Sequence, residues 1–244
     1  MNSRFIRYTQ SGQIVITPED DLDWIVDVIL ETGYDDEFCY ALNFDPSFIA
    51  ALMRAGFLVM SAALESACGP DKLYRCILLP KLHLKRSVLF WQDLHETRTA
   101  RRLLKRYELR YDADFDRILD RCVYVHGDGW LIPPLQESIK AIRAFSSSLV
   151  RPVAFALYRD GELVAGEFGV VTGRVYTSYS GYRDEDSAGT VQMVLTGRYL
   201  RDSGFAFWDL GMPMDYKDRL GARNISPRHF VEIFRKALVI AGQV

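Results

Sequence analysis

The segment from Arg151 to Gly181 limits the architecture more than any other part of the chain. VAFALY, ELVAGEFGVV and VYTSYSG are three apolar runs of strand length, separated by RDG and TGR. Asp160-Gly161 and Thr172-Gly173 are tight-turn dipeptides, so the runs are expected to fold back on one another as an antiparallel meander. A helical stretch, SAGTVQMVLTGRYLRDSG, follows and stops at Gly204. A short strand, FAFWD, and an irregular segment lead to a last helix, SPRHFVEIFRKALVI, with Ser226 as N-cap and Pro227 at its first position. FAFWD raises the functional question, because its apolar run ends on Asp209 with Gly211 two residues on. Such an aspartate either caps the turn leaving the strand or offers its carboxylate to a substrate, since strand ends are common positions for functional groups in such sheets.

The upstream half mixes helix and strand signals. PEDDLDWIVDVILETGYDDEF carries one apolar helical face, and DPSFIAALMRAGFLVM reads as a short core helix stopped by Gly56. KLYRCILLPKLHLKRSVLFWQDLH reads as short strands interrupted by Pro80. TRTARRLLKRYELRY reads as one basic helix, with Arg98, Arg101, Arg102, Lys105 and Arg106 on a broad side opposite Leu103 and Leu104. DADFDRILDRCV is a further helix. The expected class is α+β, divided into a smaller α/β domain over 1–122, which holds the basic helix, and a second domain over 123–244. The second domain's order, a three-strand meander, helix, strand, helix, is that of the acetyltransferase-like (GNAT-like) fold.

Composition narrows the function. A net charge of −2 carries no overall nucleic-acid signature, so any basic face must be local. No run approaches the roughly 20 apolar residues of a membrane span, and MNSRFIRYTQSGQ lacks the apolar core of a signal peptide. Cys39, Cys68, Cys76 and Cys122 form no CxxC pair, which fits a reducing cytoplasm. His83, His95, His126 and His229 are equally dispersed, and neither a metal site nor a cofactor is expected.

Four segments, in order and nearly gap-free, carry a family resemblance: RSVLFWQDLHETRTARRLLKR, GDGWLIPPLQESIKAI, GELVAGEFGVVTGRVY and WDLGMPMDYKDRLGARNISPRHF. Together they resemble the leucyl/phenylalanyl-tRNA–protein transferases. The resemblance implies an acetyltransferase-like carboxy-terminal domain, and transfer of an amino acid from a charged tRNA to the N-terminal amine of a protein or peptide. It also implies that an Asp and a Gln at the strand end serve the attacking amine. The Asp is kept as Asp209, but Gly211 stands in place of the Gln, Tyr179 in place of a family Glu, and only Phe57 and Met60 remain of the aminoacyl pocket.

The chemistry this implies is aminolysis of an already activated ester, which needs alignment, a proton acceptor and oxyanion stabilisation. Asp209, Tyr179 and Asp215 are the candidate catalytic residues. Phe57, Met60 and Gly211 are candidates for the aminoacyl pocket. Arg98, Arg101, Arg102, Lys105, Arg106 and Trp130 are candidates for tRNA, the cations on phosphates and the indole on a base. For the cations the rival reading is a solvated helix face, for Trp130 a core residue, for Tyr179 a half-buried sheet residue, and His95 reads as structural. Three other functions stay open: an active transferase with a changed amino acid or acceptor, a relative that binds tRNA or peptide without turnover, and an acyltransferase using another donor. Coenzyme A fits poorly, because Asp184, Glu185 and Asp186 crowd the loop where a pyrophosphate would sit.

Overall fold

The computed structural model describes residues 4–66, 73–145 and 149–238, so Cys68 and the last two residues of the expected final helix lie outside the described residues. In chain order the elements are β1 (Arg7–Tyr8), β2 (Ile14–Val15), α1 (Leu22–Thr32), α2 (Pro46–Arg54), β3 (Leu58–Ser66), β4 (Leu73–Lys81), β5 (Arg86–Leu89), α3 (Arg98–Leu103), β6 (Glu108–Tyr111), α4 (Phe115–His126), α5 (Pro133–Ala144), β7 (Val150–Arg159), β8 (Glu162–Thr172), β9 (Val175–Arg183), α6 (Ala188–Asp202), β10 (Phe207–Gly211), α7 (Asp215–Leu220), β11 (Arg223–Ile225) and α8 (Pro227–Leu238). The class is mixed α and β. The described residues form two compact units, one from Met1–Leu84 with Gly127–Ser148 and the other from Lys85–His126 with Leu149–Val244. The boundary expected at 122/123 falls inside α4.

In the first unit β3 and β4 pair as an antiparallel hairpin. Helix α2 starts where the sequence marks it: the Asp45 carboxylate accepts from Ser47 N at 2.8 Å, and Pro46 fills a first-turn position that needs no N–H. Ile49, Leu52 and Met53 on α2 are buried, as are Leu135, Ile139 and Ile142 on α5. Pro80 does not interrupt the strand as expected. It lies within β4 opposite Val59, and the neighbouring segment uses only its carbonyl, which accepts from Cys39 N at 2.8 Å.

The second unit is built on a seven-stranded sheet of order β11-β5-β10-β9-β8-β7-β6. The expected meander is β7-β8-β9, and β10 then adds parallel to β9 while the other neighbours are antiparallel. On one face Phe155, Tyr176, Trp208, Val194 and Leu200 form a core beneath α6. The opposite face is covered by α4, through Phe115 against Phe168, and by α8, through Phe230 against Phe207. Gly169 permits close packing between β8 and β9, since a Cβ there would come within 2.2 Å of the Thr177 carbonyl.

The long basic helix is corrected by the structure. Helix α3 ends at Leu103, a 3-10 turn covers Leu104–Arg106, and Glu108–Tyr111 is strand β6. The alternating residues of Glu108–Tyr111 pair with β7, and that pairing outweighs the helical preference of the cations before them.

Candidate active site

Strands β9 and β10 run side by side only from Val175/Phe207 to Thr177/Asp209; β9 continues to Arg183 and β10 to Gly211 without further pairing, so the two part there. Asp209 stands at that point with 0% exposure. Arg86, on β5 and 1% exposed, clamps it with two bonds, Nε to Oδ1 at 2.8 Å and Nη2 to Oδ2 at 2.6 Å. Thr177 Oγ1 donates to Oδ2 at 2.8 Å, and the Gly211 backbone N–H donates to Oδ1 at 3.0 Å. The guanidinium also lies 4.3 Å from the Phe230 ring centre. Buried charges need this degree of pairing, and a carboxylate with four donors is a fixed element of the fold. Asp209 therefore does more than cap a turn: it ties β5, β9 and β10 together and sets the backbone at Gly211. Gly211 has φ +72°, a left-handed conformation that β-branched or bulky residues avoid.

Two further buried ionisable groups, Lys217 and Glu167, belong to the same unit and have no counterpart in the expected site. Lys217, buried on α7, donates to the Leu210 carbonyl at 2.6 Å and the Met212 carbonyl at 2.8 Å, holding the chain as it leaves β10. Burial lowers its pKa to about 8, while Asp209 and Glu167 oppose that shift. Glu167, on β8 and 6% exposed, has its pKa raised to about 8 by burial, with Tyr176, Lys217 and Ser178 opposing. Ser178 Oγ donates to its carboxylate over a long 3.5 Å, and that oxygen in turn accepts from Trp208 Nε1 at 2.8 Å. The Tyr176 hydroxyl is near enough to favour ionisation of Glu167 without forming a well-aligned hydrogen bond. One signal for Glu167 was present in the sequence, a lone acid inside the apolar run LVAGEFGVV. Lys217 had none, since DYKDRL reads as a solvated turn.

The other expected residues are dispersed. Tyr179 lies on β9 at the irregularity between the Gly169–Ser178 and Phe168–Ser180 pairs, half-buried, its ring 6.0 Å from that of Phe168. Asp215 is exposed at the first turn of α7. Asp209, Gly211, Tyr179 and Asp215 thus belong to the second unit, whereas Phe57, Met60 and Trp130 belong to the first. Phe57 is a core side chain with 2% exposure, and Met60 is half-buried on β3. Trp130 is half-buried, its carbonyl accepting from Ser61 N at 2.9 Å. Arg98, Arg101, Arg102, Lys105 and Arg106 are all exposed. Arg101 is folded back onto the Glu96 carbonyl, at 3.1 and 3.3 Å. His95 is exposed, and its backbone N–H donates to the Leu220 carbonyl at 2.8 Å. In the acidic loop Asp184 pairs with Arg121, and Glu185 pairs with Arg159 at 2.6 Å.

No helix among the described residues is long and apolar enough to cross a membrane. Among those residues no group of three or more His, Cys, Asp or Glu side chains is placed to hold a metal ion.

A family model described as leucyl/phenylalanyl-tRNA protein transferase matches residues 88–235. Among curated proteins, the leucyl/phenylalanyl-tRNA–protein transferase of Pseudomonas putida (strain W619) is 32% identical over 154 residues, 60% of this chain and 66% of the relative. That of Pseudomonas fluorescens (strain Pf0-1) is 30% identical over 160 residues, 63% of this chain and 68% of the relative. The chain therefore spans about two thirds of the length of these relatives. Among solved structures, L-PGS from Bacillus licheniformis is similar at 10% identity and a TM-score of 0.44, covering 96% of this chain and 89% of that one. The C-terminal domain (DUF2156) of a putative lysylphosphatidylglycerol synthetase from Agrobacterium fabrum is similar at 12% identity and a TM-score of 0.42, covering 98% and 90%.

Proposed function

Because the chain belongs to the leucyl/phenylalanyl-tRNA–protein transferase family, with residues 88–235 matched, we propose that it transfers an aminoacyl group from a charged tRNA to the free N-terminal amine of a protein or peptide. The observation that carries the reading is the Arg86–Asp209 clamp, which involves the last residue pair that the parallel strands β9 and β10 share. The strand order around that pair, antiparallel β7-β8-β9 followed by parallel β10, supports an acetyltransferase-like fold for the second unit.

The donor ester is already activated, so catalysis is a matter of holding two substrates and managing protons. Asp209 acts as a positioning residue, fixing Gly211 and Thr177. Arg98, Arg102, Lys105 and Arg106 are exposed, have no ion-pair partner among the described residues, and bind tRNA phosphates. Arg101 joins them by exchanging its weak contacts with Glu96. Trp130 stacks on a base, and Met60 contributes surface to the aminoacyl pocket. Tyr179 and Asp215 act at the rim, as hydrogen-bond donor and as contact for a cation. The chain works in the cytoplasm, where charged tRNA is found.

The test is transfer of label from a pool of tRNAs charged with different amino acids to peptides that differ in their first residue. Label is expected in at least one peptide, and none in peptides whose N-terminus is acetylated. Absence of transfer from every charged tRNA would remove the reading.

A further inference from the structure

Asp209 has both oxygens occupied by four donors, and Gly211 has no side chain. Of the other carboxylates that the described sheet carries, Glu167 is the buried one. It sits on β8 directly opposite Phe155 and Gly181, beside the irregularity that displaces Tyr179, and it keeps 6% exposure. Among the described residues its neighbouring donors are Ser178, at 3.5 Å, and the Tyr176 hydroxyl, and a carboxylate with two such donors keeps lone pairs for a cationic one. Trp208 anchors Ser178 in turn, so the carboxylate is linked to the last paired turn of the parallel strands by a fixed hydrogen-bond chain. A carboxylate buried beside Phe155 and Tyr176 with so few donors costs stability.

We propose that Glu167 is the catalytic residue that binds the acceptor's α-ammonium and takes its proton. This rests on the transferase reading. The Glu167 carboxylate receives one N–H proton from the ammonium. The freed nitrogen lone pair forms a bond to the ester carbonyl carbon, whose π electrons move to oxygen. As the intermediate collapses, the bond to the terminal ribose oxygen of the tRNA breaks, and that oxygen takes a second proton from the nitrogen. The first proton then leaves Glu167 for solvent. An α-amino group titrates at about 7.7–8.0, and a carboxylate raised to about 8 is matched to it. The titratable groups facing Glu167 are Lys217 and Tyr216 on α7, Tyr176 on β9 and Cys122 on α4.

The experiment has two arms. Carbon-13 NMR of glutamate-labelled protein locates the Glu167 carboxyl by its loss in Glu167→Gln and follows its titration with a free-amine peptide or the acetylated twin. A midpoint near 8 that moves only with the free amine supports the proposal; identical titration with both peptides overturns it. In the kinetic arm, Glu167→Gln is expected to lower kcat about 10²–10⁴-fold with tRNA binding unchanged. Full activity in Glu167→Gln overturns the proposal and leaves the transferase reading intact. Loss of all transfer in the wild type, with the carboxyl still responding to the free amine, removes the transferase reading and keeps Glu167 as an amine-binding group.

Discussion

Asp209→Asn changes one oxygen to an amide yet disrupts the clamp completely. The Asn side chain occupies the same space, so packing is retained. Its NH₂ group must then face either Arg86 Nη2, now 2.6 Å from an oxygen, or the donors at Nε and Gly211 N. Donor meets donor in either orientation, and the Arg86 charge is left without a counter-ion at 1% exposure. Removing one partner of a buried ion pair costs about 3–5 kcal/mol. The same figure follows from losing two charge-assisted bonds at about 1.5–3 kcal/mol each. For a unit of this size the melting temperature should fall by roughly 6–20 °C, read by circular dichroism. The double substitution Arg86→Met with Asp209→Leu removes both charges and should recover most of that loss. A fall of less than about 2 °C in Asp209→Asn would refute the reasoning, since a carboxylate whose charge can be removed so cheaply is not holding the sheet together.

Three further outcomes follow from the geometry. The Glu167 and Lys217 shifts have opposite consequences for stability. Glu167 rises from 4.5 to about 8 on folding, so its contribution is present below pH 4.5 and lost as pH rises toward 8. Lys217 falls from 10.5 to about 8, so its contribution is present above pH 10.5 and lost as pH falls toward 8. Denaturation across pH should therefore show a shallow stability minimum near 8, whose acid side flattens in Glu167→Gln and alkaline side in Lys217→Met. Replacing Arg98, Arg102, Lys105 and Arg106 by Ala, singly, should lower the slope of log affinity for tRNA against log salt by about 0.7–0.9 per lost phosphate contact, as measured by filter binding. Gly169→Ala forces a Cβ to within 2.2 Å of the Thr177 carbonyl and should cost about 1–3 kcal/mol or more, seen as a lower unfolding midpoint in urea.

The meander, α6, β10 and α8 were legible because their signals are local: apolar runs of strand length, turn dipeptides, a Gly stop and a Ser-Pro start. The places of β5 and β6 in the sheet were not, because pairing between distant segments leaves no local mark. Arg86 and Asp209 are 123 positions apart, and nothing near either names the other. The basic stretch misled for the same reason, its last residues being claimed by β7. At the site, Asp209 drew notice as the acid that closes an apolar run, but β10 runs on to Gly211, and the saturation of Asp209 by four donors is visible only in three dimensions. Lys217 escaped because charged residues are normally exposed and DYKDRL carries no indicator of burial, whereas the one signal for Glu167, a lone acid inside an apolar run, is a weak one.

The most direct measurement of the central claim is mass spectrometry of a peptide with a free N-terminus after incubation with the protein and tRNA charged with leucine or phenylalanine. The account predicts that one aminoacyl residue is added at the α-amine, and that the acetylated twin keeps its mass. An unchanged free-amine peptide with every charged tRNA offered, or equal addition to the acetylated peptide, would contradict it.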